Sequence, residues 1–233
     1  MAALAILVLN FEGCGGHMST NKKNYGLEAP KLPKVLDEIP YKDLQSDDFF
    51  EMGMFKDTMI ENRKATKVTF DNFRFENVTM TETSLHFLEL TDVIFERCDL
   101  SNLDFSNATI HRTEFRNCKI IGIDLTEATL RNVLFHNCIG DFANFRYANF
   151  KQVLFEESSL RSADFYSSTF LKVYMQQCNL DAVQLSATKL DGMDLSNCEF
   201  TVLGVGIEDI KGCTISKEQA SVFANLFGLI VKE

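Results

Sequence analysis

Cysteine and histidine are the residues with the most obvious chemical potential in this 233-residue sequence. Five of its seven cysteines recur at multiples of twenty residues, and thiolates are preferred ligands of soft metals such as zinc. Three of its four histidines are twenty-five residues apart, which would suit a metal site or a nucleophile–base pair only if the fold brought them together. The residues are Cys98, Cys118, Cys138, Cys178 and Cys198, and His86, His111 and His136.

A five-residue repeat decides where these side chains point. Every fifth residue from Phe70 to Phe200 is large and apolar, with Gly140 as the single exception. The residue two places earlier is usually small or β-branched, as at Val68 and Ala108, and the other three are mostly polar. A period of five fits neither the 3.6 of an amphipathic helix nor the 2 of an alternating strand. It predicts a very short strand and a tight turn, repeated with the same residues inward.

A second period of twenty residues predicts how these short strands stack. The cysteines share one place in this period, with Ser158 filling the gap, and a column of phenylalanines runs from Phe55 to Phe155. Positions twenty apart are therefore stacked neighbours, which requires four sides per coil and coils about 4.8 Å apart. The sequence predicts an all-β solenoid, a right-handed quadrilateral β-helix of pentapeptide repeats.

This geometry argues against catalysis. A small inward residue is what the coil needs at the cysteine position, so we interpret that column as packing. The three histidines fall on outward positions of three different sides and cannot converge. Gly204-Val205-Gly206 lacks the strand–loop–helix context of a phosphate-binding loop. We expect no enzyme activity, no cofactor and no metal, and we interpret Gly140 as a packing feature in preference to a hinge.

Composition narrows the functional class further. The chain is 45% apolar, carries a formal charge of -10 and contains 21 Phe but no Trp. It has no apolar run of the roughly 18 to 20 residues that a membrane span needs. Its acidic balance argues against direct nucleic-acid binding, which needs a basic surface for phosphate contacts. Between residues 46 and 210 there are 26 Asp and Glu against 15 Lys and Arg, so the repeat region holds the negative charge.

The end of the chain predicts a helix and an interface. Ser216 and Gln219 form a capping-box pattern, Gly228 supplies a helix stop, and Leu229-Ile230-Val231 is typical of a short strand. One short helix would leave much of its apolar face exposed, so we expect a second copy to cover it in an end-to-end homodimer. The expected interface residues are Ala220, Val222, Phe223, Leu226, Phe227, Leu229, Ile230 and Val231.

Two groups of residues identify a family resemblance. Ala143-Asn144-Phe145 and Ala163-Asp164-Phe165 match the consensus of pentapeptide-repeat proteins, and the pattern covers roughly residues 46 to 215. The tail Asn225-Leu226-Phe227-Gly228-Leu229-Ile230-Val231 resembles that of the Qnr-like fluoroquinolone-resistance proteins, especially the loop-free type of Gram-positive bacteria. No insertion breaks the register between Phe70 and Phe200, so the protruding loops of many Gram-negative members are absent, which leaves protection or inhibition of gyrase open.

The resemblance implies a dimeric DNA mimic that binds DNA gyrase and topoisomerase IV and confers fluoroquinolone resistance. A scaffolding pentapeptide-repeat protein with an unrelated protein partner is the alternative. The acidic binding face would comprise Asp104, Asp124 and Asp164 with Glu127 beside them, and a neighbouring line of Glu76, Glu96, Glu156 and Glu157. Arg112, Arg131, Lys151 and Lys172 gather elsewhere, and that basic face cannot mimic DNA.

The sequence divides into four segments. Residues 1–18 are expected to be a vector-derived leader, because Gly15-Gly16-His17-Met18 resembles a cloning scar and the preceding apolar stretch has no basic start. Residues 19–45, with three prolines, are an expected extended arm. Residues 46–215 are the β-helix, and residues 216–233 are the dimerisation helix and strand. Without export we expect a cytoplasmic protein with reduced cysteines.

Overall fold

The computed structural model of the chain describes residues 25–226 and 228–231. Residues 1–24, which include the expected leader, lie outside the described residues. Fifteen strands precede one helix, α1 (Ala220–Leu226). The strands are β1 (Asp37–Glu38), β2 (Phe49–Glu51), β3 (Gly53–Lys56), β4 (Met59–Glu61), β5 (Lys64–Thr66), β6 (Thr69–Glu76), β7 (Thr79–Thr81), β8 (Ser84–His86), β9 (Glu89–Glu96), β10 (Thr109–Arg116), β11 (Thr129–His136), β12 (Asn149–Glu156), β13 (Thr169–Gln176), β14 (Val183–Gln184) and β15 (Leu203–Gly204).

The predicted stacking of residues twenty apart is confirmed. From β6 to β13 the eight-residue strands pair in parallel, and Phe115 lies level with Phe95 on one neighbour and Phe135 on the other. Each of these strands covers two sides of a coil, while isolated bridges such as Asp104↔Asp124 hold the remaining two sides together. The result is the predicted parallel β-solenoid, with about eight turns.

Each corner of the coil is made by a residue in the left-handed backbone conformation. Every fifth residue from Asp47 to Ala187 has a positive φ, and Gly192 continues the series. This conformation costs an ordinary L-residue about 1 to 2 kcal/mol, which explains the many Asn residues at these positions. The next corner positions, Asn197, Val202 and Ile207, are not left-handed, and the last coils are correspondingly less regular.

Stacked phenylalanines fill the centre of the solenoid. Phe95 and Phe115 lie 4.8 Å apart between ring centroids with an interplanar angle of 1°, and Phe115 and Phe135 lie 4.7 Å apart at 7°. Phe145 and Phe165 form a second stack at 4.7 Å. All five rings are buried, so the one abundant aromatic residue builds the continuous core.

Gly140 is a packing position, as expected. A methyl group built on it would lie 3.1 Å from Leu160 and 3.2 Å from Ile120, so the side chains of the coils above and below already fill the space. The five repeat cysteines are also buried, and each thiol points at a backbone carbonyl, as Cys118 does at Phe95 (3.5 Å). The packing interpretation of the cysteine column is confirmed.

An arm of residues 25–39 runs back along the outside of the solenoid. β1 pairs with β3 near the first coils, whereas Tyr25 packs on Tyr174 with ring centroids 4.7 Å apart. The arm therefore passes six coils in the direction opposite to their stacking. It follows one column of corner residues, here called the arm corner: Asn72, Asp92, Arg112, Asn132, Gln152 and Lys172.

The expected capping box closes the other end of the solenoid. The Ser216 N–H donates to Oε1 of Gln219 (2.8 Å), and the Gln219 N–H donates back to the Ser216 hydroxyl (3.3 Å). Residues 229–231 follow α1 and are exposed, but they are not paired as a strand in the single chain. A strand needs a partner to satisfy its backbone groups, so the short strand expected there would require a second chain.

Candidate functional site

The most continuous line of carboxylates lies on one side of the coil. Parallel bridges join Asp104 to Asp124, Asp124 to Asn144 and Asn144 to Asp164, so the predicted column exists with one amide in it. We call the surface formed by residues 84–86, 104–106, 124–126, 144–146 and 164–166 the acidic side. Two columns of corner residues form its edges: one contains every twentieth residue from 82 to 182, and the other contains every twentieth residue from 87 to 187. The arm corner is a different column.

A local requirement of the turn selects Asp or Asn in this column. Oδ1 of Asp124 accepts hydrogen bonds from the N–H and the hydroxyl of Thr126, at 2.9 and 2.5 Å. Oδ1 of Asp164 accepts the N–H of Tyr166 at 2.8 Å. Because Asn144 accepts the N–H of Arg146 in the same way, the turn needs a side-chain oxygen but not a negative charge. The turn therefore does not require the negative charge of the aspartates in this column.

Two of the three aspartates already have a basic side chain beside them. The His86 imidazole lies 3.0 Å from Asp104, and the Arg146 guanidinium lies 3.2 Å from Asp164. Within the described part of the chain, Asp124 makes no ion pair. Glu127 is an exposed corner residue beside it. The centre of the acidic side, at Asp124 and Glu127, therefore carries its least compensated charge.

The second predicted acidic line is interrupted. Glu76 and Glu96 are strand neighbours, but Arg116 and His136 occupy the next two levels before Glu156. The glutamates are also engaged: Arg97 lies 3.0 Å from Glu76, Asn117 donates to Glu96 at 2.9 Å, and His136 lies 3.1 Å from Glu156. Glu157 is an exposed residue of the adjacent corner column. This line is a mixed-charge surface.

The predicted basic cluster divides into two columns. Arg131 and Lys151 are directly stacked partners on β11 and β12. Arg112 and Lys172 belong instead to the arm corner. At the arm corner, the Arg112 guanidinium donates two hydrogen bonds, of 2.6 and 2.5 Å, to the buried Asp92 carboxylate. Arg112 is therefore committed to holding the structure together.

Polar contacts fix the arm to its corner. The Lys31 N–H donates to Asp92 (2.9 Å), the Glu28 N–H donates to Asn132 (3.4 Å), and the Gln152 amide donates to the Gly26 carbonyl (2.7 Å). Burial alone would raise the pKa of Asp92, but the bonds from Arg112 and Lys31 hold that pKa below its ordinary value. Sequence reasoning predicted an extended arm but not this attachment, in which Asp92 and Asn132 are buried.

The described residues contain no group of three or more His, Cys, Asp or Glu side chains placed to hold a metal ion. His86, His111 and His136 lie on three different sides of the coil. β10 and β11 are stacked and each covers two sides, but His111 comes before the corner of its strand at Arg112, whereas His136 comes after the corner of its strand at Asn132, and His86 lies on the acidic side. Hydrogen bonding to Cys118 and burial raise the pKa of Cys98, and contact with Cys138 raises that of Cys118 to about 12. These thiols stay neutral at physiological pH, so they are poor metal ligands and nucleophiles.

The residues of the expected dimer interface divide into inward and outward groups. Phe223 is buried against its own solenoid, with its ring 5.9 Å from Phe200, and Val222 and Leu226 pack partly on the same core. Phe227 lies outside the described residues. Ala220, Leu229, Ile230 and Val231 are exposed. Among the described residues of the predicted interface, the exposed large apolar side chains are therefore those of residues 229–231.

Comparison with known proteins agrees with the five-residue repeat. The family described as pentapeptide repeat region matches residues 88–165 and 108–185, and pentapeptide repeats (8 copies) match residues 178–201. Residues 88–201 of this chain belong to the pentapeptide-repeat family. It is 37% identical over 91 residues to the uncharacterized protein YisX of Bacillus subtilis (strain 168), across 39% of this chain and 43% of YisX. The chain thus spans less than half the length of that curated relative.

Solved pentapeptide-repeat structures are also similar. A structure of QnrB1, a plasmid-mediated fluoroquinolone resistance protein, matches at 20% identity with a TM-score of 0.34, covering 79% of this chain and all of that one. HetL, a protein involved in heterocyst differentiation regulation in Nostoc sp. strain PCC 7120, matches at 13% identity with a TM-score of 0.34, covering 75% and 92%. We infer no function from similarities at this level. No helix among the described residues could cross a membrane.

Proposed function

We propose that this pentapeptide-repeat protein binds type II topoisomerases, DNA gyrase and topoisomerase IV, as a cytoplasmic DNA-mimicking dimer and thereby confers fluoroquinolone resistance. It would act by binding and not by catalysis. The Qnr-like tail of residues 225–231 supports this function, as does the excess of carboxylates in the repeat region.

The observation that carries the proposal is the register of Asp104, Asp124 and Asp164 on the acidic side. The bridges place them at successive multiples of the coil spacing, about 4.8 Å. That side is a regular β-surface that the arm leaves uncovered. A line of negative charge on a straight, rigid support is what a DNA-binding groove of a topoisomerase would accept in place of phosphates.

Dimerisation would extend this surface. About eight coils make a rod of roughly 40 Å, and two copies joined end to end through residues 229–231 would make one of roughly 80 Å. That length is comparable with about two turns of duplex DNA. The exposed side chains of Leu229, Ile230 and Val231 support this contact, since an apolar chain end is otherwise an unfavourable surface.

A gyrase supercoiling assay with and without ciprofloxacin tests the function. The parent should inhibit supercoiling or restore it in the presence of drug, in competition with duplex DNA. Replacing Asp104, Asp124 and Asp164 together by Asn should weaken binding mainly through slower association, because steering charges act over about 8 to 10 Å and are screened by salt. Asn144 shows that the turn accepts the amide, so the fold should persist.

Arg131→Gln with Lys151→Gln is the matched control, because it removes charge from a different side. It should bind gyrase as well as the parent does. If the Asn variant binds normally while the Gln variant does not, carboxylate mimicry is wrong even with gyrase as the partner.

The scaffold alternative has one observation in its favour. Glu76 and Asp164 each pair with an arginine of the same chain, so part of the negative charge is compensated internally, and Asp104 and Glu156 each lie beside a histidine. A rod of this kind could carry charge for solubility and bind an unrelated protein. Absence of binding to both gyrase and topoisomerase IV would favour this alternative.

A further inference from the structure

Three corner residues of the solenoid are aromatic, and all three border the acidic side. Phe142, Tyr147 and Phe87 have φ values of 62°, 59° and 56°, in the left-handed region that bulky side chains adopt rarely. The other corners between Asp47 and Ala187 carry Asn, Gln, Gly, charged or small side chains, or Met52. The aromatic corners are therefore concentrated on one surface of the four-sided coil.

Burial does not compensate these residues for their backbone strain. Phe142 is 66% exposed, Phe87 50% and Tyr147 45%, whereas the inward phenylalanines of the same coils are fully buried. The corners that follow Phe142 and Tyr147 toward the C-terminus along the same edges are small: Ser162, Ser167, Ala182 and Ala187. The rings of Phe142 and Tyr147 thus project from the edges, and a strained residue whose large ring stays this exposed points to function.

Two neighbouring side chains, Arg146 and Tyr166, hold the ring of Tyr147 in place. The Arg146 guanidinium lies over the rings of Tyr147 and Tyr166, at 5.6 and 5.0 Å from their centroids. The two tyrosines meet edge to face at 5.8 Å, and Arg146 also pairs with Asp164. A preordered group of Tyr, Phe and Arg side chains has the composition of an interface hot spot.

The charge around the aromatic corners identifies the partner. Asp124 and Glu127 lie one coil away from Asn144 and Tyr147, and the corner residues along both edges of the acidic side, from Glu82 to Ala187, include no Lys or Arg. Arg146, on the acidic side itself, is paired with Asp164. Arg and Lys side chains can meet both a carboxylate and the face of an aromatic ring.

We propose that Phe142 and Tyr147, with Phe87 on the same edge as Tyr147, form the anchor of a docking surface for an arginine- and lysine-rich protein surface. This inference rests on the proposed function in one respect, since it takes the topoisomerase as that basic partner. The aromatic anchors hold the complex together, and the carboxylates of the acidic side speed its formation. Phe87 and Tyr147 are three coils apart, so the anchor extends over about 14 Å.

The test compares Phe142→Asn/Tyr147→Asn with Met52→Asn. Asparagine suits a left-handed corner, and neither change alters the net charge, so both variants should melt at or above the temperature of the parent. Met52 is an exposed apolar corner residue on a different edge, which makes it the matched control. Against purified gyrase, the double variant should lose at least tenfold in affinity, mainly through faster dissociation, while Met52→Asn should bind like the parent.

A second probe separates this inference from the proposed function. A capped nonaarginine peptide, titrated into the parent and followed by NMR, should shift the ring signals of Phe142 and Tyr147 and bind the double variant at least fivefold more weakly. If gyrase does not bind the parent, the proposed function fails, and the peptide result alone decides the docking surface. Equal affinity of either probe for the parent and the double variant would overturn the inference. It would equally be overturned if the parent self-associates through these rings, because the occupant would then be a second copy.

Discussion

The side-chain amide of Gln219 donates a hydrogen bond to the backbone carbonyl of Cys198, 2.7 Å away, and another to the Leu195 carbonyl at 2.9 Å. Cys198 is the last cysteine of the buried column, and its carbonyl belongs to a coil with little of the solenoid beyond it. A residue that sequence reasoning assigned only to the capping box therefore also satisfies the backbone of the final coils.

Gln219→Ala should lower the free energy of unfolding by about 1 to 3 kcal/mol, because it leaves the buried Cys198 carbonyl without a donor and leaves the Leu195 carbonyl with the Cys198 N–H alone. Chemical denaturation measures the change. Gln177→Ala, at an exposed corner, is the control and should stay within about 0.5 kcal/mol of the parent. Equal stability of the two variants would mean that water replaces the Gln219 amide without cost.

Phe115→Ala should cost about 3 to 5 kcal/mol of stability through lost burial and a cavity between Phe95 and Phe135. Phe142→Ala removes the same atoms from an exposed corner and should change stability by less than about 1 kcal/mol. Urea unfolding of both variants gives the comparison. A similar loss in the two would contradict the core assignment.

Asn107→Val should destabilise the protein by about 1 to 2 kcal/mol, because a β-branched residue resists the φ of 60° at that corner. Asn107→Gly should remain within about 1 kcal/mol of the parent, since glycine adopts this conformation without strain. Thr109→Val, two residues later in β10, should be tolerated. A higher melting temperature for Asn107→Val than for Asn107→Gly would contradict the left-handed conformation of this corner residue.

Attachment of the arm should depend on pH through Asp92. Its pKa is lower in the folded protein, so its contribution is present above the unfolded value of about 3.9 and is lost as the pH falls through the folded value. Hydrogen exchange should show the Lys31 amide protected at pH 5 and unprotected at the most acidic pH that the fold tolerates. At neutral pH, Asp92→Asn should speed tryptic cleavage after Lys31 several-fold, whereas Asp99→Asn should not.

A charged substitution should have different effects at the buried residues of α1 and at the exposed residues 229–231 that follow it. Ile230, which is 88% exposed, can be replaced by Asp without disturbing the solenoid, so Ile230→Asp should give a folded monomer. Phe223→Asp should instead lower the melting temperature, because Phe223 packs on Phe200. Sedimentation equilibrium at micromolar concentration tests the first effect, and a parent that sediments as a monomer would remove the basis of the dimer.

The stacking of the solenoid could be predicted from sequence because the coil repeats one local geometry. Once Cys98, Cys118 and Cys138 recur at twenty residues, the register of every strand follows. The left-handed corners could not be located by residue preference, since Phe142 and Tyr147 occupy positions that favour Asn and Gly.

Contacts outside the repeat were also beyond sequence reasoning. The path of the arm depends on pairs such as Gly26 and Gln152, which are 126 residues apart and follow no period. The orientation of Phe223 is set by one contact with Phe200, and the apolar pattern of α1 is equally compatible with an outward face. For the acidic side, the sequence predicted the column of aspartates but not the contacts of Asp104 with His86 and of Asp164 with Arg146.

The arm affects how the solenoid unfolds. In a stack of coils each unit contacts only its neighbours, so the ends of such a stack can fray while the middle stays folded. Here one segment contacts Met54 near the first coils, Asp92 further along and Tyr174 six coils away from where it started. Loss of a terminal coil would release part of that segment from its other attachments. The arm therefore couples distant coils, and unfolding should be more cooperative than the repeat architecture alone would allow.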